Sequence, residues 1–145
     1  MKIQLLSLLI SLLLTATTSN GQQAERTLVK AFSLKTAQSI LLDLDGAVEV
    51  KEWNQDQVRI QMTITLQNGS EIMLKSLVQA GRYNVESEEK DGELKIYVPG
   101  LAKHVRMRNG EDLLETVSFQ VFAPANVSLK LGDSASSSTK SLSSF

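Results

Sequence analysis

The sequence contains no cysteine. Disulfides, thiolate nucleophiles and cysteine-based metal sites are therefore excluded. A lipid-anchored export signal, which needs a cysteine just after its cleavage site, is not expected either. Histidine occurs once, at His104. Any Ser-His-acid arrangement would have to use that residue, and the surrounding Lys103-His104-Val105-Arg106 carries no nucleophile motif. An excess of one charge is also missing. Fifteen Lys and Arg against 16 Asp and Glu leave a net charge of −1, so no strong field draws nucleic acid or acidic membranes. Proline is confined to Pro99 and Pro124, which leaves long stretches free to pair as strands.

What is present begins with an address. Lys2 is followed by an apolar run, Ile3 to Leu14, broken only by Gln4, Ser7 and Ser11, and then by small and polar residues from Thr15 to Gly21. That is the layout of a secretory signal peptide, with Ser19 and Gly21 suited to the −3 and −1 positions. The run is shorter than the roughly 20 residues a spanning helix needs, and no later stretch is apolar enough to span. The expectation is a signal peptide over 1–21, a mainly β domain over 22–131 and an exported product that is periplasmic, on the cell surface or secreted. No membrane span and no nucleic-acid partner are expected.

Between Ser39 and Leu66, apolar and polar residues alternate with period two. Ile40, Leu42 and Leu44 form one set, Val48 and Val50 a second, and Val58, Ile60, Met62, Ile64 and Leu66 a third. Such alternation marks strands with one dry and one wet face. Turns at Asp45-Gly46 and Asn54-Gln55-Asp56 suggest three successive strands with tight connections. Asn68-Gly69 ends this run. Ser70 then suits an N-cap and Glu71 the positive end of a helix. Leu74, Leu77 and Val78 follow at helical spacing, and Gly81 suits the end, so one short helix over about 71–80 is predicted. Asp91-Gly92 between two alternating runs predicts a hairpin. Further strands are expected over Lys103 to Arg108, Val117 to Ala123 and Val127 to Leu131. The stretch 132–145 is Ser-rich with little to bury, and reads as a disordered tail. The fold class expected is mainly β, either an antiparallel sandwich-like arrangement or the start of a β-solenoid.

Candidate chemistry is sparse. Asp43 and Asp45 share a strand face near Glu49, but they lack the spacing of a calcium loop. Glu86, Glu88 and Glu89 precede a hairpin turn, where carboxylates discourage edge pairing. His104, Arg106 and Arg108 would line one face of a strand, with Val105 and Met107 opposite. They make the best patch for an anionic partner such as a phosphate or acidic glycan. Trp53 falls out of phase with Val48 and Val50, and serves either as rim packing or as a binding residue. Asn68-Gly69-Ser70 and Asn126-Val127-Ser128 fit the N-glycosylation pattern. No catalytic residue, metal ligand or cofactor is expected.

Leu42-Asp43-Leu44-Asp45-Gly46-Ala47-Val48-Glu49-Val50, followed by Trp53 and Val58-Arg59-Ile60, resembles the exported bacterial family described as "putative adhesin" or head GIN-domain proteins, of the Bacteroidetes type. Those proteins carry a Gly, a small or acidic residue and Val-x-Val, then a Trp and a Val-Arg-Ile strand. Leu74 to Tyr83, and Phe119 to Leu131 with its Pro-x-x-Val-x-Leu ending, fit the same pattern, and the likeness covers most of the chain after residue 21. Members continue into Gly-rich repeats that stack as a β-solenoid. Here a Ser-rich stretch follows, so the resemblance implies a short member without the repeat part. It implies a non-catalytic envelope protein, adhesive or structural, and brings no catalytic residues with it.

Three functions compete at this stage. The first is binding or structure in the cell envelope through sheet faces or an edge strand, with a protein or glycan partner or by self-association. The second is a periplasmic ligand-binding or envelope-maintenance module using the basic strip to hold an anionic glycan or phosphate. The third and most remote is a hydrolase based on His104.

Overall fold

A computed structural model describes residues 23–137. The expected signal peptide and the end of the expected tail lie outside these residues. Nine strands and one α-helix follow in order: β1 (Ala24–Ser33), β2 (Ser39–Asp43), β3 (Gly46–Trp53), β4 (Gln57–Leu66), α1 (Glu71–Gln79), β5 (Glu86–Lys90), β6 (Glu93–Tyr97), β7 (Glu115–Pro124), β8 (Ser128–Leu131) and β9 (Ala135–Ser137). They form a five-stranded sheet, ordered β1-β4-β7-β3-β9, and a four-stranded sheet, ordered β5-β6-β2-β8. The mainly β, sandwich-like expectation holds. The pairing is mixed, however, and not purely antiparallel.

The three-strand run from Ser39 to Leu66 is divided between the sheets. Strand β2 lies in the four-stranded sheet, between β6 and β8, and β3 and β4 lie in the other with β7 between them. The alternation was read correctly as to face, because Ile40, Leu42, Leu44, Val58, Ile60, Met62, Ile64 and Leu66 are all fully buried. Neighbours are a separate matter. Asp45-Gly46 is a corner between sheets, where a hairpin would have returned the chain beside itself. Gly46 makes the corner feasible. It takes φ +148°, and a Cβ there would collide with the Val117 carbonyl oxygen of the adjacent β7.

That corner belongs to a repeating pattern. The chain passes from the four-stranded to the five-stranded sheet three times, as β2 to β3, β6 to β7 and β8 to β9. The departing strands pair in parallel, β6 with β2 and β2 with β8. The arriving strands do likewise, β7 with β3 and β3 with β9. The third crossing corrects the tail: residues 135–137 extend the sheet beside Gly46 to Val48. Ser-rich sequence has little to bury, but parallel main-chain pairing does not require buried side chains.

The remaining elements close the core. Strand β1 pairs antiparallel with β4 along its whole length, and β4 pairs antiparallel with β7 from Arg59 to Leu66. Strands β5 and β6 make the expected hairpin, with φ +52° at Asp91 and +76° at Gly92 as a primed turn requires. Helix α1 starts where predicted. The Ser70 hydroxyl accepts from the Met73 amide at 3.2 Å, and Leu74 is fully buried beneath it.

Candidate functional site

The expected basic strip is not on a strand. Residues 104–112 form an arm before β7, held by a single bridge between Arg106 and Asp112 and by main-chain bonds from Met107 to Glu111 and from Leu113 to Val105. The facing survives without the strand. Val105 and Met107 are half-buried, and His104, Arg106 and Arg108 are exposed. Asp112 sits among them, its Oδ1 3.0 Å from His104 Nε2 and 3.8 Å from Arg106 Nε. The arm thus brings His104 and Arg106 together on a carboxylate, with Arg108 in the turn beyond.

Trp53 lies elsewhere. It ends β3 opposite Pro124, at the far end of β7 from the arm, roughly 30 Å away at about 3.3 Å per residue. Its indole Nε1 donates to the Gln57 carbonyl at 2.8 Å. Its ring tilts against Phe122 at 5.6 Å between centroids. The Arg59 guanidinium lies 4.4 Å from the Phe122 centroid and 5.2 Å from that of Trp53. The buried Arg59 Nε finds no acceptor among the described residues, so the ring faces supply its principal attraction. Sequence reasoning singled out Trp53 and missed Arg59 and Phe122. The signal was available in part, since both occupy outward positions of otherwise alternating strands.

The other acidic candidates are dispersed. Asp43 pairs with Lys95 at 2.9 Å. Asp43 and Asp45 help line a shallow depression of about 280 Å³ with Tyr97 and Pro99. Glu49 faces a different depression, on the five-stranded sheet. Among the described residues no three His, Asp or Glu side chains gather as a metal would need. Glu86, Glu88 and Glu89 sit on the fully exposed edge strand β5. Asn68, one of the glycosylation-pattern residues, uses its amide twice, donating to the Asp112 carbonyl and accepting from the Leu114 amide.

The principal ion pair was not foreseen. Arg82 binds Glu115 side-on, through Nε at 3.2 Å and through Nη2, and its Nη1 donates to the Gly100 and Lys103 carbonyls at 2.9 Å each. The Tyr83 hydroxyl donates to the same carboxylate at 2.6 Å. Both charged side chains are largely buried, 9% and 15% exposed. Burial, with the hydrogen bond donated to that carboxylate, holds the Tyr83 phenol well above its ordinary range. The hydrogen bonds to Glu115 likewise raise Arg82. By joining Arg82 and Tyr83 to Glu115 and to the Gly100 and Lys103 carbonyls, this cluster ties the β6–β7 crossing to the turn after α1.

The two sheet edges built by consecutive crossings contrast with the others. On β8, Leu129 and Leu131 point to the inner side opposite Ile40 and Leu42. Ile40 and Leu42 are fully covered, yet Leu131 is 41% exposed. The apolar row of the core continues to this edge, and among the described residues no strand follows it. By comparison, edge strand β5 carries Glu86, Glu88, Glu89 and Lys90, and edge strand β1 carries Glu25, Arg26 and Lys30.

No family model matches this chain. No curated protein matches it. Among solved structures, it aligns with a "putative cell adhesion protein" from Clostridium sporogenes at 14% identity and TM-score 0.41, over 74% of this chain and 45% of the other. It also aligns with a "putative adhesin" from Bacteroides fragilis at 11% identity and TM-score 0.39, over 77% and 41%. A third, a "putative adhesin" from Parabacteroides distasonis, gives 14% and 0.36, over 77% and 40%. The chain spans less than half the length of each of these structures.

Proposed function

We propose that this protein is a non-catalytic, exported cell-envelope protein that binds through its β-sheet surfaces, with the β8–β9 edge as the principal contact. The observation that carries the reading is the half-exposed Leu131 at the end of an inward-facing apolar row, beside the unpaired main chain of a parallel edge. Strands that must stay solitary are blunted by charge, and β1 and β5 are. Strand β8 offers only Lys130. A further strand laid in parallel would cover Leu131 and satisfy the exposed main-chain groups of β8. In this reading the three crossings are the opening coils of a β-solenoid, and the partner supplies the next coil. Export rests on the leader pattern before residue 22.

The test is light scattering coupled to size exclusion, over a range of concentrations, on the intact protein and on Leu131→Lys. Association that grows with concentration in the first and vanishes in the second is the expected result. A monomer at every concentration, together with equal behaviour of the variant in any envelope fraction that retains the protein, sinks the reading.

A further inference from the structure

The outward face of the five-stranded sheet carries a second, separate feature. Register places three rows across its central strands: Arg59, Phe122 and Lys51; then Gln61, Gln120 and Glu49; then Thr63, Ser118 and Ala47. The rows lie about 7 Å apart along the strands, so the set is about 14 Å long. The third row is small, and the surface dips there into a depression of about 270 Å³ lined by Ala47, Glu49, Gln61, Thr63, Ser118 and Gln120. At the opposite end stands the ring cluster of Trp53 and Phe122 with Arg59 against it. Among the described residues, the side chains of Gln61, Ser118 and Gln120 make no hydrogen bond within the chain, whereas neighbouring Thr63 bonds Thr27 at 3.2 Å.

We propose that this face binds a neutral oligosaccharide, packed against the Trp53–Phe122–Arg59 cluster and hydrogen-bonded along the Gln61–Gln120–Glu49 row. The chemistry of the two halves selects that partner. Trp53 and Phe122 remain part-exposed beside Arg59, and aromatic surface attracts the weakly positive C–H groups of a pyranose ring. Amides, hydroxyls and one carboxylate match sugar hydroxyls, each of which donates and accepts. Charge agrees as well. Lys51 lies 4.0 Å from Glu49, Arg59 is engaged by the rings, and Glu49 at the depression repels an anion. Along the hydrogen-bonding row the Lys51 and Glu49 charges offset one another, and the carboxylate at the depression favours an uncharged ligand over an anion. A second copy of the chain fits less well, because the rows are polar where the centre of a protein interface is apolar.

The experiment is titration calorimetry of the intact protein with short cello-, xylo-, manno- and malto-oligosaccharides up to millimolar concentration. The variants are Trp53→Ala, Gln61→Ala, Gln120→Ala and Leu131→Lys, with circular dichroism to confirm folding. At least one neutral oligosaccharide binds. Trp53→Ala weakens it about tenfold, as loss of an aromatic anchor does. Each Gln→Ala weakens it roughly threefold to tenfold, the range of a single hydrogen bond. Leu131→Lys binds as the parent does, which separates this face from the β8–β9 edge. Should Trp53→Ala fail to fold, the two glutamine variants carry the test. Three results each overturn the proposal: no binding by any of the panel; binding indifferent to the glutamine variants; or binding confined to acidic oligosaccharides and lost in Arg106→Glu with Arg108→Glu.

Discussion

Glu115 stands at the centre of the buried polar cluster. Its carboxylate accepts from Arg82 and from Tyr83, and the Arg82 guanidinium in turn holds two carbonyls of the β6–β7 crossing. Removing the charge leaves the Arg82 guanidinium largely buried without its counterion. Glu115→Gln should therefore lose about 3 kcal/mol in a urea unfolding titration, the cost typical of breaking a buried pair by one partner. Tyr83 adds a pH dependence of definite sign. Its phenol is held neutral in the folded state, above the value it has when unfolded. The stabilisation is complete below about pH 10 and is lost as pH rises through the folded-state value. In Tyr97→Phe, where Tyr83 is the remaining tyrosine, phenolate absorbance should stay flat through pH 10 and rise only with unfolding. A normal titration in the folded protein would remove the Tyr83–Glu115 bond from the argument.

At the scale of elements, the corners matter more than the strands they join. Gly46 sits at φ +148°, and a Cβ added there would run into the Val117 carbonyl oxygen. Gly46→Ala meets both an unfavourable backbone conformation and a main-chain collision, so β3 and β7 must separate locally or the corner must open. A loss of about 3 kcal/mol or more is expected by thermal or urea unfolding. Gly92→Ala is the control, because it too has positive φ but open space around its α-carbon, and should cost only about 1 kcal/mol. Equal losses in the two would mean that conformation alone, and not the approach of β7, decides the corner. The α1 start needed no tertiary help to recognise. Ser70 caps it and Leu74 enters the core, as spacing and capping chemistry imply.

For the whole molecule, stacked crossings make the two ends of the sandwich unequal. Charged edge strands, β1 and β5, lie at one side of the sheets, and the sparsely charged β8 and β9 lie at the other. Hydrogen exchange gives a direct reading of this asymmetry. Amides of β2, β4 and β7, paired on both sides over most of their length, should exchange slowest. Outward amides of β8 and β9 should exchange fast in dilute protein and become protected on association. Protection of β1 or β5 in their place would put the contact on the wrong side.

Most side-chain facings could be read from the chain. The residues Val58, Ile60, Met62, Ile64 and Leu66 are buried without exception, the Asp91-Gly92 hairpin stands where two alternating runs meet, and even the arm at 104–108 keeps its alternation after losing its strand. Period two encodes which way a side chain points, and local turn chemistry encodes where the chain bends. Neither encodes a neighbour. Whether Asp45-Gly46 returns β3 beside β2 or sends it to the other sheet depends on contacts with β7, which is some seventy residues further on. The same holds for Arg82 and Glu115, whose pairing spans 33 residues, and for Arg59, Trp53 and Phe122, which meet only once β3, β4 and β7 lie side by side. The facings, the helix and the hairpin rest on contacts within a few residues, so they are legible along the chain. The parallel pairing, the β8–β9 edge and the assembled polar face each require strands far apart in the chain to become neighbours, so they emerge only on folding.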